Sequence, residues 1–514
     1  MRKIITYLVV LSFAFGFAQN KEEILCQLIN SKTQEPVVFA TVSVKDKSVG
    51  VIADDNGNFR LPYKYKLNDD TIVISCIGFN TIELKVVSLN DTLVNRIKLV
   101  PKIESLEAIT IIANKSKNRV KEDYIPAKEI IKKAIYNMRL NFPTVPHSQI
   151  GYYREYQILN KKYFNLNEGI LEDFDAGFQT NKIFYKDNQA ALYSFKKNDE
   201  FPKDSILTSA YDNYDSKFIE NATITGFGGN ELSILNIHNA IRHYEKKSFS
   251  FIDVFKDNFL YNHVFRLTNK LYLDDKPIYE IKFYASEAVT GVKNRAEGVI
   301  YIAYDTFAIH KLEYYGYVLK QEKPFYSVTI EYKPKGNKMY LNYISFYNRF
   351  KVKSKNSFKV SAIEYDTTDN AFLINFNNEI DKETADKKKY FRFTYFGDRL
   401  KITKVEMINR TQLKVSLAQD FSADDIANFK TMEGVEYKIK KVADLAGRRL
   451  NELSFLDVDQ FREFFVQEVF ANKQLPDDLN FVNKAMLLNE SSININTVDK
   501  DKYWINSPLK TIKN

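Results

Sequence analysis

Five histidines, His147, His238, His243, His263 and His310, are the first candidates for metal binding or proton transfer at neutral pH. None stands in an H-E-x-x-H motif. His310 and Glu313 spell the H-x-x-E pair that a carboxypeptidase-type zinc site would use, but they fall inside a predicted strand, where residues three apart point to opposite faces. His238 and His243 stand five apart, whereas one helix face brings together residues three or four apart. Glu155, Glu168 and Glu172, with Arg154, could be posed as an acid/base cluster, since two carboxylates in unlike environments can divide those roles. The spacing of Glu168 and Glu172 would suit one helix face, yet no motif fixes any of the three beside a nucleophile, so ion pairs or solvated faces are the expected state. No G-x-S-x-G elbow occurs, and Gly226-Phe227-Gly228-Gly229 lacks the Lys-Ser/Thr of a phosphate cradle. The sequence therefore predicts no catalytic residue, no metal ligand and no cofactor, and assigns no ligand-binding residue. Cys26 and Cys76 are the only two cysteines; an exported chain could oxidise them to one disulfide or keep two buried thiols, and sequence leaves both open.

The elements that must hold these residues are mostly strands. Tyr (33), Phe (39) and Trp (1) make up 14% of the 514 residues, an excess that favours pleated surfaces, and the length suits several domains. A mean hydropathy of -0.35 with 45% hydrophobic residues excludes disorder as the main state. The net charge of +9 is spread among acids, and the densest basic run, Lys387-Lys388-Lys389, is brief, so nucleic acid is not an expected partner. Arg2 and Lys3, the apolar run 4–17 and the small-x-small site Gly16-Phe17-Ala18 read as a signal peptide, too short for a membrane span. No cysteine follows directly, since Cys26 lies eight residues past Ala18, and no second apolar stretch of that kind occurs. The expectation is export without a lipid anchor and no transmembrane span after cleavage.

Between 23 and 100, short β-branched runs at 24–29, 37–44, 58–61, 71–77, 81–87 and 96–100 predict a β-sandwich. The segment Asp54-Asp55-Asn56-Gly57-Asn58 reads as a tight turn in preference to a calcium loop, because the 12-residue EF-hand pattern is absent. Thr33-Gln34-Glu35-Pro36, Ala40-Thr41-Val42, the turn 48–51, Asp54 to Phe59 and Ile77-Gly78-Phe79 resemble the carboxypeptidase-regulatory-like domain, a transthyretin-like sandwich of exported Gram-negative proteins. Gln27 departs from that family, which often has Gly in its first strand. The resemblance implies an accessory and binding module, not a peptidase. The stretch 106–113 is similar to the segment that joins this domain to plug and barrel in outer-membrane receptors, but too little chain follows for such a barrel, and a strand or linker is expected instead.

Pro126 opens a predicted amphipathic helix with Ile130, Ile131, Ala134, Ile135 and Met138 on one face, ended by Asn141 and Pro143. From 251 to 353 the pattern is an aromatic antiparallel meander, with turns at 274–277, 305–306 and 335–337. The run 297–307 resembles the half-barrel of periplasmic lipoprotein carriers, although an aromatic core closed by the preceding helix is the stronger expectation. From 361 to 451, Phe376-Asn377-Asn378-Glu379-Ile380-Asp381 and Asp444-Leu445-Ala446-Gly447 resemble a bacterial immunoglobulin-like domain, which implies spacing or binding. A last helix is predicted over 457–471, and the lone Trp504 is expected to dock on an earlier domain.

The expected architecture is mainly β and multi-domain: signal peptide 1–18, transthyretin-like β-sandwich 19–102, linker 103–125, helix plus antiparallel β-meander 126–355, Ig-like sandwich 356–453, and helical tail 454–514. The expected role is a non-enzymatic binding or scaffold protein, periplasmic or associated with the outer membrane, with a protein or glycan partner. The alternative is a carrier of a lipid or other hydrophobic ligand within the meander. An open apolar hollow in the meander would favour the carrier, and a filled core the scaffold.

Overall fold

The structure, a computed structural model, describes residues 23–508 except 48, 106–124, 213–215, 221, 223, 225–226, 243–253, 356 and 496. The predicted signal peptide, the 106–113 segment, Gly226 and His243 lie outside the described residues. The chain is mainly β, arranged in several sheets.

The first unit is a sandwich. One sheet runs Asn58–Pro62, Glu23–Asn30, Asn95–Leu99, with Glu23–Asn30 antiparallel to the first and parallel to the last. The other runs Gly50–Ile52, Thr41–Val44, Thr71–Ser75, Ile82–Lys85. Alternate residues Ile24, Cys26 and Leu28 point inward against Val42, Ile72 and Ile74, the period-two burial of a half-buried strand. The 54–58 segment is a turn: Asp54 Oδ1 accepts the N–H groups of Asn56 at 2.9 Å and Asn58 at 2.8 Å. Gly57 there has φ +71°, and a Cβ would meet Leu28 O at 2.6 Å, so both conformation and space call for glycine.

The second unit is one long sheet. Its strand order is Gln189–Lys197, Lys162–Asp175, His147–Leu159, Leu453–Ala471, Lys338–Lys355, Tyr326–Lys335, Ile309–Val318, Asn294–Ala303, Lys276–Ala285, His263–Leu273 and Ile103–Ser105, with Lys217–Phe218 added beside Lys338–Lys355. The predicted meander is its second half. On one face Ile281, Phe283, Ile300, Leu312, Val328, Ile330 and Phe346 pack against Ile130, Ile131 and Ala134 of helix Ala127–Tyr136, Leu232 and Leu235 of helix Glu231–Ile237, and Phe259 of helix Asp257–Asn262. Gly298 lets the Phe283 ring lie on the neighbouring strand, since a Cβ there would meet the ring at 2.3 Å.

The helix predicted over 457–471 is instead part of the 19-residue strand Leu453–Ala471. From 458 to 467 both of its faces are covered, so apolar residues fall on each: Phe461 and Phe465 on one side, Val458 and Phe464 on the other. That removes the alternation that marks a half-exposed strand.

A third unit is inserted between two neighbouring strands of the long sheet. Lys338–Lys355 and Leu453–Ala471 pair as far as Lys355 opposite Leu453, and the chain between them forms two small sheets. One runs Val360–Asp366, Ala371–Phe376, Gln412–Leu417, Ile402–Asn409, the other Asp398–Arg399, Phe391–Tyr395, Val435–Ile439. Phe372, Phe393, Val415 and Phe429 form their common core, with Phe372 and Phe393 stacked 4.7 Å apart. Arg448 anchors this unit to the rest: its Nε donates to Asp444 at 2.7 Å and its Nη2 to Asp204.

Candidate functional site

Period-two geometry sorts the residues of strand His147–Leu159 between the two faces of the long sheet. Tyr152 and Arg154 face the sandwich, whereas Tyr153 and Glu155 face the helices. The four residues posed as an acid/base cluster are therefore split. Arg154, Glu168 and Glu172 share the sandwich face, and Glu155 lies on the opposite one.

On the sandwich face, pairing brings Ser345, Glu463, Arg154 and Glu168 into one row across four adjacent strands, with Tyr343, Phe465, Tyr152 and Ile170 in the next. The Arg154 guanidinium binds Glu463 and donates from Nη1 to Asn506 O at 2.7 Å. Glu463 also accepts the Tyr343 hydroxyl at 2.6 Å. Arg154 is 1% exposed and Glu463 5%, so this pair is a fully desolvated crossbrace. Glu168 accepts from Tyr152 Oη at 3.2 Å, Asn198 Nδ2 at 2.8 Å and Ser507 Oγ at 2.5 Å. Glu172 accepts from Ser148, Tyr193 and Lys473 Nζ, the last at 2.6 Å.

The tail completes the seam. Trp504 is buried within the sandwich core beside Phe59 and Tyr65, and its Nε1 donates to Arg60 O at 2.6 Å. On its other side Gln467 of the long sheet donates to Trp504 O at 2.6 Å and accepts the Trp504 N–H at 2.8 Å. Asn506 accepts the Arg60 N–H at 2.9 Å and donates to Ile52 O at 3.3 Å. Residues 504–507 thus stitch sandwich to sheet through polar groups that each find a partner, as burial demands.

Two clefts of about 270 Å3 each flank this seam. One lies between Phe39, Thr41 and Cys76 of the sandwich and His310, Glu331 and Met339 of the sheet. Burial pushes the Glu331 carboxyl up, against the opposing pull of Lys311, and Asn342 Nδ2 and Thr41 Oγ1 donate to it at 2.8 and 3.3 Å. His310 is held down at about 4 by burial and by Lys276, and its Nδ1 in the cleft wall has no hydrogen-bond partner among the described residues. The second cleft, around Ser43, Val51, Lys335 and Gln467, is lined by no histidine or cysteine.

Among the described residues of the helical face, a cavity beside Gln149, Arg242, Tyr332 and Phe464 has about 30 Å3 and one beside Asp173, Lys182 and Val482 about 20 Å3, each room for a water or two. Glu155 on this face accepts from Tyr153 Oη at 2.8 Å and Asn167 Nδ2 at 2.9 Å, and burial together with Glu231 pushes its carboxyl up to about 7.

The other sequence candidates are dispersed. His147 Nδ1 faces Val145 O, His238 Nδ1 faces Ile234 O and stacks on Phe346, and His263 bridges Phe259 O and Tyr314 Oη. His310 and Glu313 share a strand but not a face: Glu313 binds Lys311 at 2.7 Å. Cys26 and Cys76 are free thiols, one in strand Glu23–Asn30 and the other just past strand Thr71–Ser75 of the other sheet, and burial pushes both up to about 12. Glu463, Tyr343, Gln467 and Asn506 had no signal in the sequence: Glu463 meets Arg154, and Tyr343 meets Glu463, only across distant strands, and Asn506 and Gln467 join them only through the tail's docking.

Residues 27–111 match the family model of the CarboxypepD_reg-like domain, in agreement with the resemblance read from the sequence. No curated protein matches the chain. Among solved structures, it is similar to a LolA superfamily protein from Nitrosomonas europaea at 11% identity, covering 43% of this chain and 86% of that one with a TM-score of 0.18. A DUF1329 family protein from Desulfovibrio piger gives 7% identity, the same coverages and a TM-score of 0.21. The Pseudomonas aeruginosa MucA/MucB complex gives 6% identity, 61% and 99% coverage and a TM-score of 0.16. Likeness this faint bears no functional argument.

Proposed function

We propose that this protein, whose residues 27–111 carry a CarboxypepD_reg-like domain, is a non-enzymatic binding or scaffold protein of the bacterial cell envelope, with a protein or glycan as its partner. The observation that carries this reading is the filled helical face of the long sheet. Among the described residues three helices and the aromatic core occupy it, and the cavities of about 30 and 20 Å3 found there are too small for an acyl chain. The carboxylates that could have served an acid/base reaction are engaged instead: Glu155, Glu168, Glu172 and Glu463 each accept at least two hydrogen bonds or ion pairs. Both thiols are held far from the thiolate state that a nucleophile needs.

The envelope location rests on the signal-like N-terminus and on the accessory role that the family resemblance implies. No helix among the described residues is long and apolar enough to cross a membrane. Native mass spectrometry of the protein purified from its own envelope tests it. A co-purifying protein or a mass increment of glycan is the expected result. A bound lipid would overturn it in favour of a carrier.

A further inference from the structure

The cleft between Phe39, Thr41 and Cys76 of the sandwich and His310, Glu331 and Met339 of the long sheet is bordered by two irregularities of that sheet. Tyr301 pairs with Lys311 but Ile302 pairs with Ile309, so His310 is the extra residue of a β-bulge. Glu331 pairs with Tyr343 but Tyr332 pairs with Leu341, so Asn342 is the extra residue of a second. Bulges re-aim side chains and recur beside functional sites. Across the cleft Phe39 has φ +56°, a region that a bulky residue rarely adopts, and strain of this kind gathers at ligand clamps.

The side chains placed there have hydrogen-bonding capacity to spare. Asn342 Nδ2 and Thr41 Oγ1 both donate to Glu331 Oε1, and among the described residues nothing donates to Oε2. His310 Nδ1 is buried with no hydrogen-bond partner among those residues. Held down at about 4, the ring is neutral at physiological pH, with one nitrogen a donor and the other an acceptor. Phe39, Ile278 and Met339 add apolar surface. The charged residues of the wall divide evenly, Asp274, Asp305 and Glu331 against Lys276, Lys333 and Lys338, so the cleft selects neither an anion nor a cation. A cavity of about 150 Å3 holds one benzene ring, and the cleft's 270 Å3 takes one such ring together with its hydroxyls.

We propose that this cleft binds one neutral sugar ring of a glycan, its hydroxyls bonded to His310 and to Glu331 Oε2 and its C–H face laid on the apolar wall. A hydroxyl both donates and accepts, and so satisfies the carboxylate and either imidazole nitrogen, whereas a hydrocarbon would leave those groups unpaired. This rests on the glycan part of the binding reading above and gives it a site.

The test uses the full chain and the methyl glycosides of glucose, galactose, mannose and N-acetylglucosamine, with cyclohexanol, glucuronate and glucosamine as apolar, anionic and cationic controls. Binding is read from the imidazole resonances of the five histidines, His310 being assigned by its loss in His310→Gln. At least one glycoside is expected to shift the His310 resonance saturably, about tenfold more tightly than any control. Glu331→Gln should weaken that glycoside by about tenfold, a neutral acceptor replacing a charged one, with unchanged circular dichroism. No saturable shift with any of the four glycosides overturns the proposal, whether the cleft is closed or merely indifferent. A control that binds as well as the glycosides, or an affinity untouched by Glu331→Gln, overturns it too. Should Glu331→Gln fail to fold, the parent chain decides: a nuclear Overhauser contact between the glycoside ring protons and the Met339 methyl or the Phe39 ring supports the cleft, and its absence overturns it. If the glycosides fail while native mass spectrometry finds a protein or glycan partner, this cleft is excluded and the binding reading stands.

Discussion

Arg154 is the residue on which the seam converges, and its energetics are those of a buried charge. Replacing it by Met strands Glu463 without its cation in a site 5% exposed, which should cost about 3–5 kcal/mol in urea unfolding. The double variant Arg154→Met with Glu463→Gln should recover a large part of that loss, because no uncompensated charge remains. A double variant no more stable than Arg154→Met would show that shape, not charge, holds the seam. On the opposite face, Glu155 keeps its proton to about 7 where an unfolded chain releases it near 4.5. Between those values the folded state binds more protons than the unfolded one, so stability falls as pH rises, by up to about 3 kcal/mol. Unfolding midpoints measured from pH 4.5 to 8 should show this decline, and Glu155→Gln should flatten it. The residue types Arg154, Glu155, Glu168 and Glu172 stood out in the sequence. Their division between two faces follows from a strand being there, since a period of two separates 154 from 155.

At the scale of elements, the strand Leu453–Ala471 shows what a sequence can conceal. It lies between Lys338–Lys355 and His147–Leu159, covered on both sides, and carries Arg462 to Glu231 on one face and Glu463 to Arg154 on the other. Charged residues there look like the polar face of a helix, and only pairing with strands more than a hundred residues away shows that they are buried. The sandwich strands were legible because their inner face is apolar and one of their turns carries Asn56-Gly57. The helix Ala127–Tyr136 was legible because one of its sides faces water. Trp504 was legible as a docking residue by being solitary and large, but its seat inside the sandwich core was not. Trp504→Ala should cost about 3–5 kcal/mol and release the tail, checked by urea unfolding and by new protease cleavage after residue 500. Cleavage and stability equal to the parent chain would deny the tail its structural part.

For the whole molecule, the third unit enters as an insertion between two paired neighbours, with Lys355 opposite Leu453. Replacing residues 356–452 by Asn-Gly should therefore leave a two-residue hairpin and an intact long sheet, provided Asp204→Asn removes the carboxylate that Arg448 now neutralises. The expected outcome is a monomeric, cooperatively unfolding protein with a strand signature in circular dichroism. A chain that aggregates or unfolds in a broad transition would show that the insertion supports the sheet. This arrangement was invisible in the linear sequence, where a change of texture near residue 361 marked a new unit but could not say that the strands before and after it touch.

The stitch formed by residues 504–507 also sets an order of events in biosynthesis. The sandwich is translated long before Trp504, the residue that fills its interior. The sandwich must wait, incompletely packed, for that distant residue to arrive, so a chain stalled or clipped before Trp504 would leave the sandwich exposed to quality-control proteases.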